Sequence, residues 1–175
     1  MTTPEFSRLV RVDSIGSAGR DIAIEADESE RAALARRFGL LAVERVSARA
    51  SLTRGGDTTI VEGRLSAAVT QSCVVTAEPV EAALDEAFTL EFRRQPEGGS
   101  RDEEVELGAD ELDVIFHDGT TIDIGEAVAE TLALGLDPFP RGAGAQDALR
   151  RAGVTSEVEA GPFGALAALK EKPPP

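Results

Sequence analysis

"VSARASLTRGGDTTIVEGRLSAAV", residues 46–69, is the stretch whose reading decides the fold. In its first part Val46, Ala48, Ala50 and Leu52 fall on one side, and Ser47, Arg49, Ser51 and Thr53 on the other. Strict alternation of this kind marks a half-buried strand. In "TIVEGRLSAAV" the residues Thr59, Val61, Gly63, Leu65, Ala67 and Val69 again share a side. Between the two lies "RGGD", residues 54–57. A glycine pair suits a two-residue hairpin turn, because both central positions need φ above zero. With Arg54 opposite Asp57, partners sum to 111, so Leu52 faces Thr59, Ala50 faces Val61 and Val46 faces Leu65. Arg49 then meets Glu62, an opposite-charge cross-strand pair. The two apolar faces coincide, which predicts an antiparallel hairpin.

Outward from the hairpin, "FSRLVRVDSI" and "RDIAIEAD" read as strands. Asp27 and Glu30 have the spacing of a capping box, followed by a helix through "ESERAALARRF" that buries Leu34 and Phe38 and stops at Gly39. "VEAALDEAFTLEFRR" places Ala82, Leu84, Phe88, Leu90 and Phe92 on one face of another strand. "QPEGGSRDEEVELGADE" is polar and acidic and reads mostly as loop. "LDVIF" is a short strand and "HDGTT" a turn. Asp123 starts a second helix, with Glu126 at the capping-box position and Ile124, Val128, Leu132 and Leu136 as its buried stripe. "QDALRRAG" reads as one or two helical turns, and "GPFGALAALKEK" as a docking segment through Phe163, Leu166 and Leu169, before a disordered triple-proline end. The order β-β-α-β-β-β-β-α with hairpin links gives α+β. The expected architecture is a mainly antiparallel, curved or partly closed sheet packed by two main helices, with an extended or helical C-terminal tail. The expected division is one domain over residues 1–141 and a docking segment with flexible tail over 142–175.

Composition narrows the function. The 175 residues allow an apolar core without disulfides or metals, and the lone cysteine excludes an internal disulfide. "MTTPEFSRLV" has no secretory pattern, and no apolar run reaches bilayer length, so the expected location is the cytoplasm. The net charge of -14 opposes a broad phosphate-binding surface. It is unevenly spread: residues 78–137 carry eighteen acids against three arginines. Residues 36–64 carry Arg36, Arg37, Arg45, Arg49, Arg54 and Arg64 against Glu44, Asp57 and Glu62. Arg36, Arg37, Arg45, Arg49 and Arg64 are therefore the candidate basic face for RNA or a partner. The basic strands around Arg45, Arg49 and Arg64 carry no aromatic residue, which disfavours base stacking.

Catalytic material is scarce. His117 is the only histidine and sits in a turn sequence. Walker and dinucleotide glycine patterns are absent from "GSAG", "RGGD" and "RGAGAQ". One Cys and one His leave no zinc set, and no cofactor is expected. Asp113, Asp118 and Asp123 are near enough in sequence to suggest a metal-dependent nuclease as an alternative. Cys73, in "QSCVVTAEPV", has three readings: nucleophile, remnant of a metal site, or small residue packing a strand. Its neighbours Ser72, Val74 and Val75 supply no activation, which favours packing.

"CVVTAEPV", "FTLEF", "IDIGEAVAETLALGLDPFPR" and "GPFGALAALK" occur in that order. Together they resemble the YceD family of large ribosomal RNA subunit accumulation proteins, over roughly residues 5 to 171. The matching positions are Cys73, Pro79, Asp123, Pro138 and Phe163. The family often shows C-x-x-C here and further cysteines after the second helix. This chain has Thr76 at the second position and none in "DPFPRGAGA", so a metal role does not transfer. The resemblance implies a non-enzymatic factor supporting large-subunit rRNA accumulation and 50S assembly. Its expected partner is a large-subunit ribosomal protein or a pre-50S particle, with weak rRNA contact and no membrane. The alternatives are a metal-dependent enzyme acting on rRNA and a protein-interaction module without direct RNA contact.

Overall fold

The computed structural model describes residues 4–95 and 113–154. Its strands are β1 (Leu9–Arg11), β2 (Arg20–Glu25), β3 (Ala42–Gly55), β4 (Thr58–Ser72), β5 (Pro79–Arg94), β6 (Asp113–His117) and β7 (Thr121–Asp123). Its helices are α1 (Glu28–Phe38), α2 (Ile124–Gly135) and α3 (Ala145–Arg151). Strands β2-β3-β4-β5-β6 form one sheet in that order, and β1 and β7 form a second. The class is α+β, and the pairing is mostly antiparallel. The β5–β6 pair is the exception and runs parallel, so not every link is a hairpin. The chain groups into two compact units. One comprises the chain up to Gln71 with Glu81–Asp137, the other Ser72–Val80 with the chain from Pro138 onward. The polar segment 96–112 and the end of the docking segment, Phe163 included, lie outside the described residues.

The β3–β4 hairpin has the faces read from the sequence but a different register. Gly55 pairs with Thr58, so the turn is Gly56-Asp57 and partners sum to 113. Gly56 has φ 65, while Asp57 is not left-handed. Positive φ at the first central position alone is the type II′ solution, which needs one glycine rather than two. The sum has moved by two, so each residue keeps its face while every partner changes. Arg49 consequently faces Arg64 rather than Glu62, Val46 faces Ala67, and Leu52 faces Val61. Near the far end the register slips between Val43 and Arg45, leaving Glu44 as the extra residue of a bulge.

The inner face of the sheet is apolar. Val46, Leu52, Val61, Leu65 and Phe92 belong to one buried cluster with Phe6, Leu34 of α1, and Val128 and Leu132 of α2. Gly63 also lies on this face, where a Cβ would come within 2.5 Å of the Phe88 ring and 2.8 Å of the Arg49 carbonyl. Glycine there lets Phe88 pack directly against the backbone.

Helix α1 has the predicted capping box, with Asp27 accepting from the Glu30 N–H and Glu30 accepting from the Asp27 N–H, and Gly39 closes it in the left-handed conformation. Asp123 caps α2, accepting from the N–H groups of Gly125 and Glu126. The reciprocal arm of a box is missing because the Glu126 carboxylate is held by Arg37 instead. The first predicted strand contracts to β1 and pairs with β7, not with the main sheet. The "HDGTT" turn is shorter than read. Gly119 takes φ 89, Asp118 accepts from the Thr120 and Thr121 N–H groups, and Thr121 already belongs to β7.

Candidate functional site

Side chains alternate along β3 and β4, so the residues opposite the core face emerge together. Arg45, Ser47 and Arg49 on β3 and Arg64 and Ser66 on β4 line a groove of about 470 Å³, whose rim on β2 includes Ala23 and Glu25. The register sets Arg49 directly opposite Arg64 and Ser47 opposite Ser66. Like charges directly opposite each other are unfavourable in a sheet. Arg64 relieves part of this through Asp85 on β5, Nε to Oδ1 at 2.5 Å, and the Arg45 guanidinium donates to the Ser66 hydroxyl at 3.0 Å. Arg49 makes no side-chain hydrogen bond or ion pair among the described residues. Three of the five candidate arginines therefore share one surface. Alternation alone does not fix the register that creates the Arg49–Arg64 pair, and it shows Ser47 and Ser66 only as polar strand positions.

Arg36 and Arg37 do not join them. Both stand on α1, whose Leu34 packs into the core. Arg37 is engaged by Glu126 at 2.7 and 2.9 Å and by Glu5 at 3.0 Å, and these carboxylates raise its pKa further. Arg8 forms a two-pronged contact with Glu30 at 2.6 and 2.9 Å and also donates to the Glu25 carbonyl. The Arg8 hydrogen bond holds the Glu30 carboxyl below its ordinary value of 4.5. Asp123 completes this region. Besides capping α2 it accepts from the Ser7 hydroxyl at 2.5 Å and the Arg8 N–H at 2.8 Å. A Cβ on Gly125 would lie 2.6 Å from the Phe6 carbonyl, so the N-terminal chain runs directly over the start of α2. The role visible for Asp123 is a clasp between the N-terminal segment and α2.

In the other unit, Cys73 opens a tight turn. The Ala77 N–H donates to the Cys73 carbonyl and Ala77 takes φ 58. The sulfur is buried and accepts from the N–H groups of Thr76 at 3.5 Å and Gly142 at 3.4 Å. Hydrogen bonding from Thr76 and then from the Gly142 N–H lowers the thiol pKa to about 7. Val74 N–H donates to the Pro140 carbonyl, which holds the segment after Pro138 beside the turn. Pro79 begins β5. The turn thus has the N–H donors that a thiolate needs. Among the described residues, however, no group of three His, Cys, Asp or Glu is placed to hold a metal, so this donor set does not fit one.

Two of the three carboxylates of the nuclease alternative are engaged by nearby N–H and O–H donors. Asp118 holds its own turn and Asp123 the clasp, and only the backbone of Asp113 is described. His117 Nδ1 accepts from the Gly119 N–H at 2.9 Å, its Nε2 is buried with no partner among the described residues, and burial lowers its pKa. No helix among the described residues is long and apolar enough to cross a membrane.

Residues 61–170 match the family described as "Large ribosomal RNA subunit accumulation protein YceD". The match spans most of the chain, and the protein belongs to the YceD family. The family's description supports a role in ribosomal RNA accumulation. No curated protein and no solved structure matches the chain.

Proposed function

We propose that this protein is a non-enzymatic factor that supports accumulation of large-subunit ribosomal RNA in the cytoplasm. It would do so by binding a pre-50S particle or a large-subunit ribosomal protein. The observation that carries the reading is the family match over residues 61–170. Two features support a binding role over catalysis. Asp118, Asp123 and the His117 Nδ1 are each occupied by N–H or O–H donors, so among the described residues these groups do not converge as acid, base or nucleophile. The charge is also segregated, with eighteen acids in residues 78–137. Such a stretch complements a lysine-rich ribosomal protein and steers its approach.

The test is sedimentation of a cell lysate on sucrose gradients at low and moderate salt, probing for this protein. The expected result is migration with 50S precursors at low salt and release as salt rises. Deletion is expected to lower large-subunit rRNA relative to small-subunit rRNA. A protein found only at the top of the low-salt gradient, with unchanged rRNA in the deletion, overturns the proposal.

A further inference from the structure

We infer that the outer face of the β3–β4 hairpin, through Arg45, Arg49 and Arg64 with the hydroxyls of Ser47 and Ser66, receives the phosphodiester backbone of RNA. The inference rests on the role in rRNA accumulation proposed above and adds the surface and the chemical group it contacts. Three observations converge on it. The first is the register, which places Arg49 directly opposite Arg64, with Arg49 making no ion pair among the described residues. An arrangement that is unfavourable alone becomes favourable when an anion sits between the two guanidiniums. The second is the lining of the groove, where three guanidiniums and two hydroxyls oppose the single carboxylate of Glu25. The third is spacing. Arg45 and Arg49 are four residues apart on one strand, about 13 Å at the usual rise, while Arg49 and Arg64 are strand neighbours, about 5 Å apart. Such a stripe can follow a chain of phosphates rather than one isolated ion.

The groove contains no aromatic residue, so it offers no stacking platform and little means of reading bases. Acids bound it: Asp85 is on β5, and Asp21 and Glu62 lie where the surface continues towards Ser51. They confine a phosphate chain to the arginine stripe and repel it elsewhere. That reconciles local RNA contact with a net charge of -14.

The experiment uses the purified full chain and a fluorescein-labelled RNA hairpin cut from large-subunit rRNA, read by anisotropy across a salt series. Arg49→Ala with Arg64→Ala is expected to weaken binding roughly tenfold or more and to flatten the log K against log salt slope by about two. Arg49→Lys with Arg64→Lys should retain most of that slope, and Arg36→Ala should leave binding unchanged. Circular dichroism melts of each variant exclude unfolding as the cause. Wild-type protein that does not bind the hairpin overturns the inference, as does a double-alanine variant with an unchanged slope. If the wild type binds no RNA yet still travels with 50S precursors, the proposed function stands and this surface assignment falls. If the double variant then leaves the precursors, the face meets an acidic protein instead, which also overturns the RNA assignment.

Discussion

Two groups of arginines in the same compact unit have opposite fates. Arg8 and Arg37, beside α1 and α2, are surrounded by carboxylates: Glu30 for one, Glu126 and Glu5 for the other. Arg45, Arg49 and Arg64, on the outer face of β3 and β4, have among the described residues one carboxylate partner between them, the exposed Asp85. The first group ties separate stretches of chain together. The second leaves cationic capacity facing outward. Counting arginines in residues 36–64 puts Arg37 with the second group, because charge counts carry no direction. Topology separates them by placing an acid from a distant element against each arginine of the first group.

The strongest challenge to this contrast is Asp123→Ala. It removes the α2 cap and the acceptor for Ser7 and the Arg8 N–H, so a loss of about 3 kcal/mol is expected in urea unfolding. A loss below about 0.5 kcal/mol would mean the clasp is not structural. Next comes Arg37→Ala, expected to cost about 1 kcal/mol, since its partners are partly shielded and its contact with Glu126 is two-pronged. Acid titration of stability sharpens the same side. Arg8 depresses the folded pKa of Glu30, so the unfolded chain binds its proton first on acidification. The stabilisation is full above the ordinary glutamate value of 4.5 and disappears as pH falls through the lower folded pKa. Arg8→Ala should flatten the melting-temperature curve in that acid range and leave its neutral arm parallel to wild type. The smallest effect belongs to the outer face. Arg49→Ala should leave stability within about 0.5 kcal/mol of wild type, on the stabilising side because it removes a like-charge neighbour. A loss beyond about 1 kcal/mol would place Arg49 in the first group.

The sequence was a good guide wherever structure is set by neighbours within a few residues. The Asp27–Glu30 capping box, the stop at Gly39, the buried faces of β3, β4 and β5 and the stripe of α2 all follow from local period and chemistry. The misses have distant causes. Glu126 abandons a local box for Arg37 because a charged guanidinium is a stronger donor than a backbone N–H. The hairpin register turned on which dipeptide of "RGGD" makes the turn, and alternation with period two cannot distinguish sums of 111 and 113. That one ambiguity concealed the Arg49–Arg64 pair. β1 and β7 are three residues each, too short to announce their pairing. The neighbours of Cys73 predict a packed thiol, and it is buried. Its hydrogen bond from Gly142, sixty-nine positions away, belongs to tertiary structure and left no local trace.

The type II′ turn also bears on how fast the chain assembles. It joins strands of 14 and 15 residues through contacts close in sequence, so their loop closes at small entropic cost. The Asp123 clasp instead links Arg8 of the N-terminal segment to the start of α2 across 115 positions. The hairpin is therefore the natural nucleus, and the clasp locks last. Loosening the Gly56 turn should slow refolding, whereas loosening Asp123 should mainly hasten unfolding. The N-terminal segment then acts as a kinetic latch, governing how long a folded molecule persists more than how quickly it arises.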